Sequence, residues 1–191
     1  MHGYLSHVPC LSRETFDSIE FDAAASGDHA AAAREMTRLA TFGTETVTMP
    51  RAEALLRTAD QWLLADEPAE AADWYRRAMA DGGPVSVDPR VGLARSQFQL
   101  GRHAEALDLL AELKADRPGD PRTCDLAAEL LVDHGDLAGA LDWATAGVEL
   151  CLADGQRPGE PDSELHLLLR LRYRVRNDLG LPEDSYDALL D

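Results

Sequence analysis

The chain has 191 residues, with 18 Lys plus Arg against 35 Asp plus Glu, so its formal net charge is −17. Such a charge repels phosphate backbones and anionic lipid at long range, which argues against nucleic acid or a membrane surface as partner. Its 30 Ala and 29 Leu far outnumber 4 Phe, 4 Tyr and 3 Trp, a balance that favours close-packed helices over strands and predicts an all-α fold with a substantial core.

Residues 1–12 read as a flexible tail. They hold no Lys or Arg and no apolar block, so they predict no secretory signal. His2, His7 and Cys10 lie within them as a metal-binding alternative, against which a mobile terminus is the simpler expectation. No later stretch approaches the roughly 20 apolar residues of a membrane span, so a soluble protein is expected. Cys10, Cys124 and Cys151 are widely spaced with no CxxC pair, which suits a reducing, cytoplasmic compartment.

From residue 13 onward the chain repeats itself. Gly101 to Asp108 (GRHAEALD) recurs as Gly135 to Asp142 (GDLAGALD), 34 positions on. Upstream, Ala69 to Tyr75 matches Ala104 to Leu110 at a displacement of 35, and a degenerate copy begins at Gly27. Each unit reads as two helices. Asp88 caps a helix with Pro89 in its first turn, Gly101 ends it after about Leu100, and a second runs from about His103 to Lys114. Asp120 and Pro121 repeat that start, Gly135 ends the helix, and Asp136 caps another that continues to about Cys151. The expected units are 13–50, 52–86, 87–120 and 121–154, and helix pairs this short must stack to bury their apolar faces.

Residues 155–162 form a connector, and 163–191 a terminal capping helix with a tail. Leu165, Leu168, Leu171, Val175 and Leu179 fall at helical spacing, whereas Leu169 to Arg176 alternates as a strand would. No second strand exists to pair with it, so a helix is expected. Arg170, Arg172, Arg174 and Arg176 then lie on two sides of that helix. They are expected to neutralise acids of the preceding pair, near Asp142 or Glu149; the alternatives are an acidic partner, RNA, or a second copy of the chain in a homodimer through the terminal helix.

Chemistry-bearing motifs are sparse. GxGxxG, GKS/T, HExxH and GxSxG are all missing, so no cofactor, no metal and no catalytic residue is expected. Asp133-His134-Gly135-Asp136 is better read as the end of one helix and the cap of the next than as a metal site. Trp62, Trp74, Trp143 and Tyr75 stand where a stack needs bulk and are expected in the core, with Phe98 as the exception. Cys124 and Cys151 come near each other if their helices pair; two buried thiols are expected, with a disulfide as the alternative.

The units resemble tetratricopeptide repeats. Residues 87–120 place Ala94, Gly101, Ala106 and Pro118 at the family's eighth, fifteenth, twentieth and thirty-second positions. The second unit offers Ala59, Trp62, Ala71 and Tyr75, and the fourth Ala128, Leu131, Gly135 and Ala140. Arg90 and Cys124 depart from the family's usual Trp, Gln97 from its aromatic place, and Glu20 from the small place of the first unit. The resemblance implies a right-handed α-solenoid of four pairs plus the capping helix.

It further implies a concave groove lined by the first helix of each pair. The groove positions are Glu14, Asp17 and Phe21, then Glu53, Leu56, Asp60, Leu63 and Leu64. The third unit adds Asp88, Val91, Arg95, Phe98 and Gln99, and the fourth Arg122, Asp125, Glu129, Val132 and Asp133. The best candidates for partner contact are Glu53, Leu56, Asp60, Leu63, Val91, Arg95, Phe98, Arg122, Asp125 and Glu129. A basic, partly apolar protein segment is the expected partner of this non-enzymatic scaffold. Acidic peptide C-termini, which cochaperones of the family hold with Lys, Arg and Asn, do not suit Leu56, Asp60, Asp125 and Glu129. Alternatives are a sensory domain taking a small cationic or amphipathic ligand between Phe98, Arg95 and Asp60, and an enzyme using Asp60 with Glu129.

Overall fold

A computed structural model describes residues 11–43, 49–159 and 163–190. Among them are nine α-helices and no strand segment, so the fold is all-α as expected. The chain divides into two compact units, one ending at Leu109 and one beginning at Leu110.

The first unit contains α1 (Arg13–Ser26), α2 (His29–Phe42), α3 (Arg51–Leu64), α4 (Pro68–Asp81) and α5 (Pro89–Gln99), and the boundary falls inside α6 (His103–Ala115). Successive helices from α1 to α5 pack side by side, and α3 also touches α5. The caps are chemical. The side chains of Ser12, Asp28 and Asp88 accept from the backbone N–H of Thr15, Ala31 and Arg90 at 3.1, 3.0 and 2.9 Å. Pro68 and Pro89 occupy first-turn positions, where a missing N–H costs nothing. The core joins Phe16, Met36, Met49 and Tyr75, all essentially without solvent contact, to a lining of Ala residues. Burying each such large side chain contributes about 1.5–3 kcal/mol. At Gly92, α5 lies close against α4, because a Cβ there would lie 2.2 Å from the Tyr75 ring.

The second unit contains α7 (Pro121–Asp133), α8 (Leu137–Ala153), α9 (Glu164–Asp178) and a 3₁₀ turn (Asp187–Leu190). Asp120 caps α7 through the N–H groups of Arg122 and Thr123, both at 3.0 Å, and Asp136 caps α8 through Gly139 at 2.9 Å. Between α7 and α8, Gly135 takes φ 79°, a left-handed conformation that side chains resist. Asp133 to Asp136 therefore forms a helix stop and start.

Helix α9 packs on both α7 and α8. Leu165, Leu168, Leu169, Val148 and Cys151 form its buried contact, and Tyr186, Leu189 and Leu190 of the tail pack against the same cluster. The alternation of Leu169 to Arg176 does not make a strand. Residues two apart on a helix lie about 200° apart, so the alternating arginines sort onto opposite sides of α9.

Cys124 and Cys151 are buried thiols and not a disulfide. Burial pushes them up to about 12 and about 11, so both stay protonated and unreactive. Trp74, Tyr75 and Trp143 are core residues as expected, and Trp62 is half-buried with its indole N–H donating to Thr37 Oγ1 at 3.1 Å. His2, His7 and Cys10 lie outside the described residues.

Candidate functional site

The predicted site residues fall in both units, and each part is built differently. In the first unit, α3 carries Glu53, Leu56, Asp60 and Leu63, and α5 carries Val91, Arg95 and Phe98. Leu56, Val91 and Phe98 are only 3–5% exposed. They belong to the wall and offer a visitor little area. Phe98 packs edge-on against His103, ring centroids 5.6 Å apart, which removes it from any ligand cage with Arg95 and Asp60. Glu53 is also buried, its carboxylate accepting from the Ser86 N–H at 2.7 Å and the Ser86 hydroxyl at 3.0 Å.

Asp60 remains open to solvent at one side while protein surrounds the rest of it. Its Oδ1 accepts the Tyr75 hydroxyl at 2.5 Å. Crowding by protein raises its pKa to about 6, with Glu20 and Glu53 adding to the push and the Tyr75 hydrogen bond and Arg95 opposing it. Solvent contact limits that push. Burial, with Asp60 alongside, pushes the Tyr75 phenol upward, and it stays a hydrogen-bond donor. Half-buried Leu63 and Arg95 complete the accessible part, and Arg95 has no ion-pair partner among the described residues.

One residue of this face carries no signal in its spacing. Arg57, 9% exposed, donates to Glu20 at 2.8 and 2.6 Å and to Asp17 at 2.6 Å, with its guanidinium 5.5 Å from the centre of the Phe16 ring. That contact explains why Glu20 stands where the repeat usually has a small residue: it answers a buried cation from α3.

In the second unit, Arg122, Asp125 and Glu129 share one face of α7, spaced at three and four residues. Asp125 is 5% exposed and is held by Arg122 at 3.1 Å. Burial and then Glu129 raise its pKa, with Arg122 opposing. The three residues line a cleft of about 470 Å³ together with Leu167, Arg170, Leu171, Tyr173 and Arg174 of α9. The sequence reading places the arginines of α9 against Asp142 or Glu149; the structure corrects this. Asp142 faces Lys114 at 3.3 Å, and Glu149 accepts the Tyr186 hydroxyl at 3.2 Å. Arg172 and Arg176 turn to the tail. Arg172, 4% exposed, donates to Thr145 Oγ1 at 3.0 Å, Asp184 at 2.9 Å and Asp187 at 3.1 Å, with Tyr186 stacked 4.7 Å from it. Arg176 reaches Asp184 and Asp187, both at 3.0 Å, and the Pro182 carbonyl.

Among the described residues, no cluster of three or more His, Cys, Asp or Glu has the arrangement of a metal site, and no helix is long and apolar enough to cross a membrane. Comparison with curated proteins and with solved structures gave no significant match. The sequence model of the tetratricopeptide repeat family matches residues 62–130, a span from the end of α3 into α7. Helix pairing and this match agree, and residues 62–130 of the chain are similar to tetratricopeptide repeats.

Proposed function

We propose that the protein is a non-enzymatic interaction module, each of whose two units offers a first-helix face to a basic, partly apolar segment of another protein in the cytoplasm. Tetratricopeptide repeats generally mediate protein–protein interactions, and the match over residues 62–130 brings that expectation to this chain. The observation that carries the finer reading is the exposed acid on these faces: Asp60 on α3 and Glu129 on α7 stand open to solvent beside apolar side chains. Charge of this sign accelerates encounter with a cationic segment, and the accessible apolar side chains, Leu63 on α3 and Leu167 beside Glu129, hold it. Two buried thiols support a reducing compartment. Arg172 and Arg176 of α9 are already neutralised within their own chain, which leaves Arg170 and Arg174 as the cations this helix offers a partner.

The test is fluorescence anisotropy with a labelled helical peptide of lysine and leucine. Binding is expected to weaken about 10-fold or more in the double variant Asp60→Arg, Glu129→Arg, with circular dichroism unchanged. Both residues are exposed, so the variant keeps its core; Asp125, buried on Arg122, is the wrong place for this substitution. Equal affinity for the wild type and the charge-reversed protein overturns the proposal.

A further inference from the structure

The cleft of the second unit is divided by charge. Along α7 it presents Glu129, exposed, and Asp125, which Arg122 already holds at 3.1 Å. Along α9 it presents Arg170 and Arg174, both exposed and neither with an ion-pair partner among the described residues. Between them lie Leu171 and the half-open side chains of Leu167 and Tyr173. Arg170 and Arg174 share one side of α9. The other pair on the same helix, Arg172 and Arg176, is matched by Asp184 and Asp187 of the tail. The two unmatched guanidinium groups start from Cα atoms one helical turn apart, about 6 Å along the axis, and each presents a planar fork suited to a carboxylate.

We infer that this cleft takes an extended segment of a protein partner carrying an acidic side chain for Arg170 and Arg174 and, beyond an apolar residue, a basic side chain for Glu129. The inference rests on the reading that these helix faces bind peptide, and it changes the chemistry expected at this end from uniformly basic to mixed. A cleft of about 470 Å³ lies in the ordinary range for ligand sites. Its opposed walls fix the direction of the bound chain, because reversing the segment sets like charges against each other.

Three capped peptides test this by titration into the isotopically labelled full chain, followed by amide chemical shifts. They are acetyl-Gly-Glu-Leu-Leu-Lys-Gly-amide, the counterpart with both charged residues lysine, and the counterpart with both glutamate. The mixed peptide is expected to move amides in residues 122–129 and 167–174, with affinity about 5-fold or more above either like-charged peptide. In the double variant Arg170→Glu, Arg174→Glu, checked for folding by circular dichroism, the di-lysine peptide becomes the tightest of the three. If the di-lysine peptide binds the wild-type cleft as well as the mixed one, or the ranking survives the charge reversal, the inference fails. Shifts near Asp60 with the di-lysine peptide, but none in the cleft with the mixed one, overturn this inference while leaving the proposed function standing. No shift with any peptide at either place counts against both.

Discussion

At the scale of single residues, Asp60 and Arg57 show opposite uses of charge beside one another. Asp60 has its pKa raised from 3.8 to about 6, so the folded state holds the proton more tightly than the unfolded chain does. Its stabilising contribution is therefore complete below pH 3.8 and is lost as pH rises through about 6. Asp60→Asn keeps an acceptor for the Tyr75 hydroxyl and removes this dependence. Between pH 4 and pH 7 the variant is expected to gain stability relative to wild type, by under about 1 kcal/mol because the carboxylate touches solvent. Urea midpoints measured across that range check it, and parallel curves contradict it. Arg57 has the reverse role, a buried cation matched by two partners at 2.6 Å. Arg57→Ala should cost about 1–3 kcal/mol, and Arg57→Lys should recover only part, since one ammonium cannot reproduce the fork to Glu20. Denaturant unfolding of the three proteins decides this order.

Among the helices, Gly92 tests the packing of α4 on α5. In an exposed helix Gly→Ala gains about 1 kcal/mol from propensity, but here the new methyl meets the Tyr75 ring at 2.2 Å. Gly92→Ala should therefore lower stability by about 1–3 kcal/mol, and a rise in melting temperature would show that the two helices are not held this closely. The tail supplies the second test. Its two carboxylates satisfy a nearly buried arginine of α9, so Asp184→Ala with Asp187→Ala leaves a stranded charge and should cost about 3–5 kcal/mol in thermal or urea unfolding. Asp184 is held down to about 2, chiefly by its hydrogen bond from Arg172. Its contribution is complete above the ordinary value of 3.8 and fades as pH falls through about 2, so acid should loosen the tail. Tyr186 fluorescence against pH, compared between wild type and the double variant, reports that release.

Over the whole molecule, the net charge of −17 governs encounter more than hold. The association rate of the lysine–leucine peptide is expected to fall about 10-fold or more between 50 and 500 mM salt while its dissociation rate changes little. Stopped-flow anisotropy separates the two, and a salt-independent association rate contradicts steering. Helix starts and stops were legible in the residues themselves. Asp88-Pro89, Gly101, Asp120-Pro121 and Gly135-Asp136 act within three or four residues of where they stand, and the structure uses each of them. The candidate site was legible only as a set of positions on helix faces. Spacing marks Leu56, Val91 and Phe98 in the same way as Asp60 and Glu129, yet the first three are buried and the last two are open.

The amino-acid order by itself determined the helical class, the period near 34 and the turns, because these depend on neighbours along the chain. The tertiary structure alone decided which charges meet. Arg57 with Glu20 is a pairing across 37 residues, Tyr75 with Asp60 across 15, and Arg172 with Asp187 across 15. Each depends on how far a helix is rotated about its own axis when it packs, a quantity set by the sum of many side-chain contacts and carried by no local spacing.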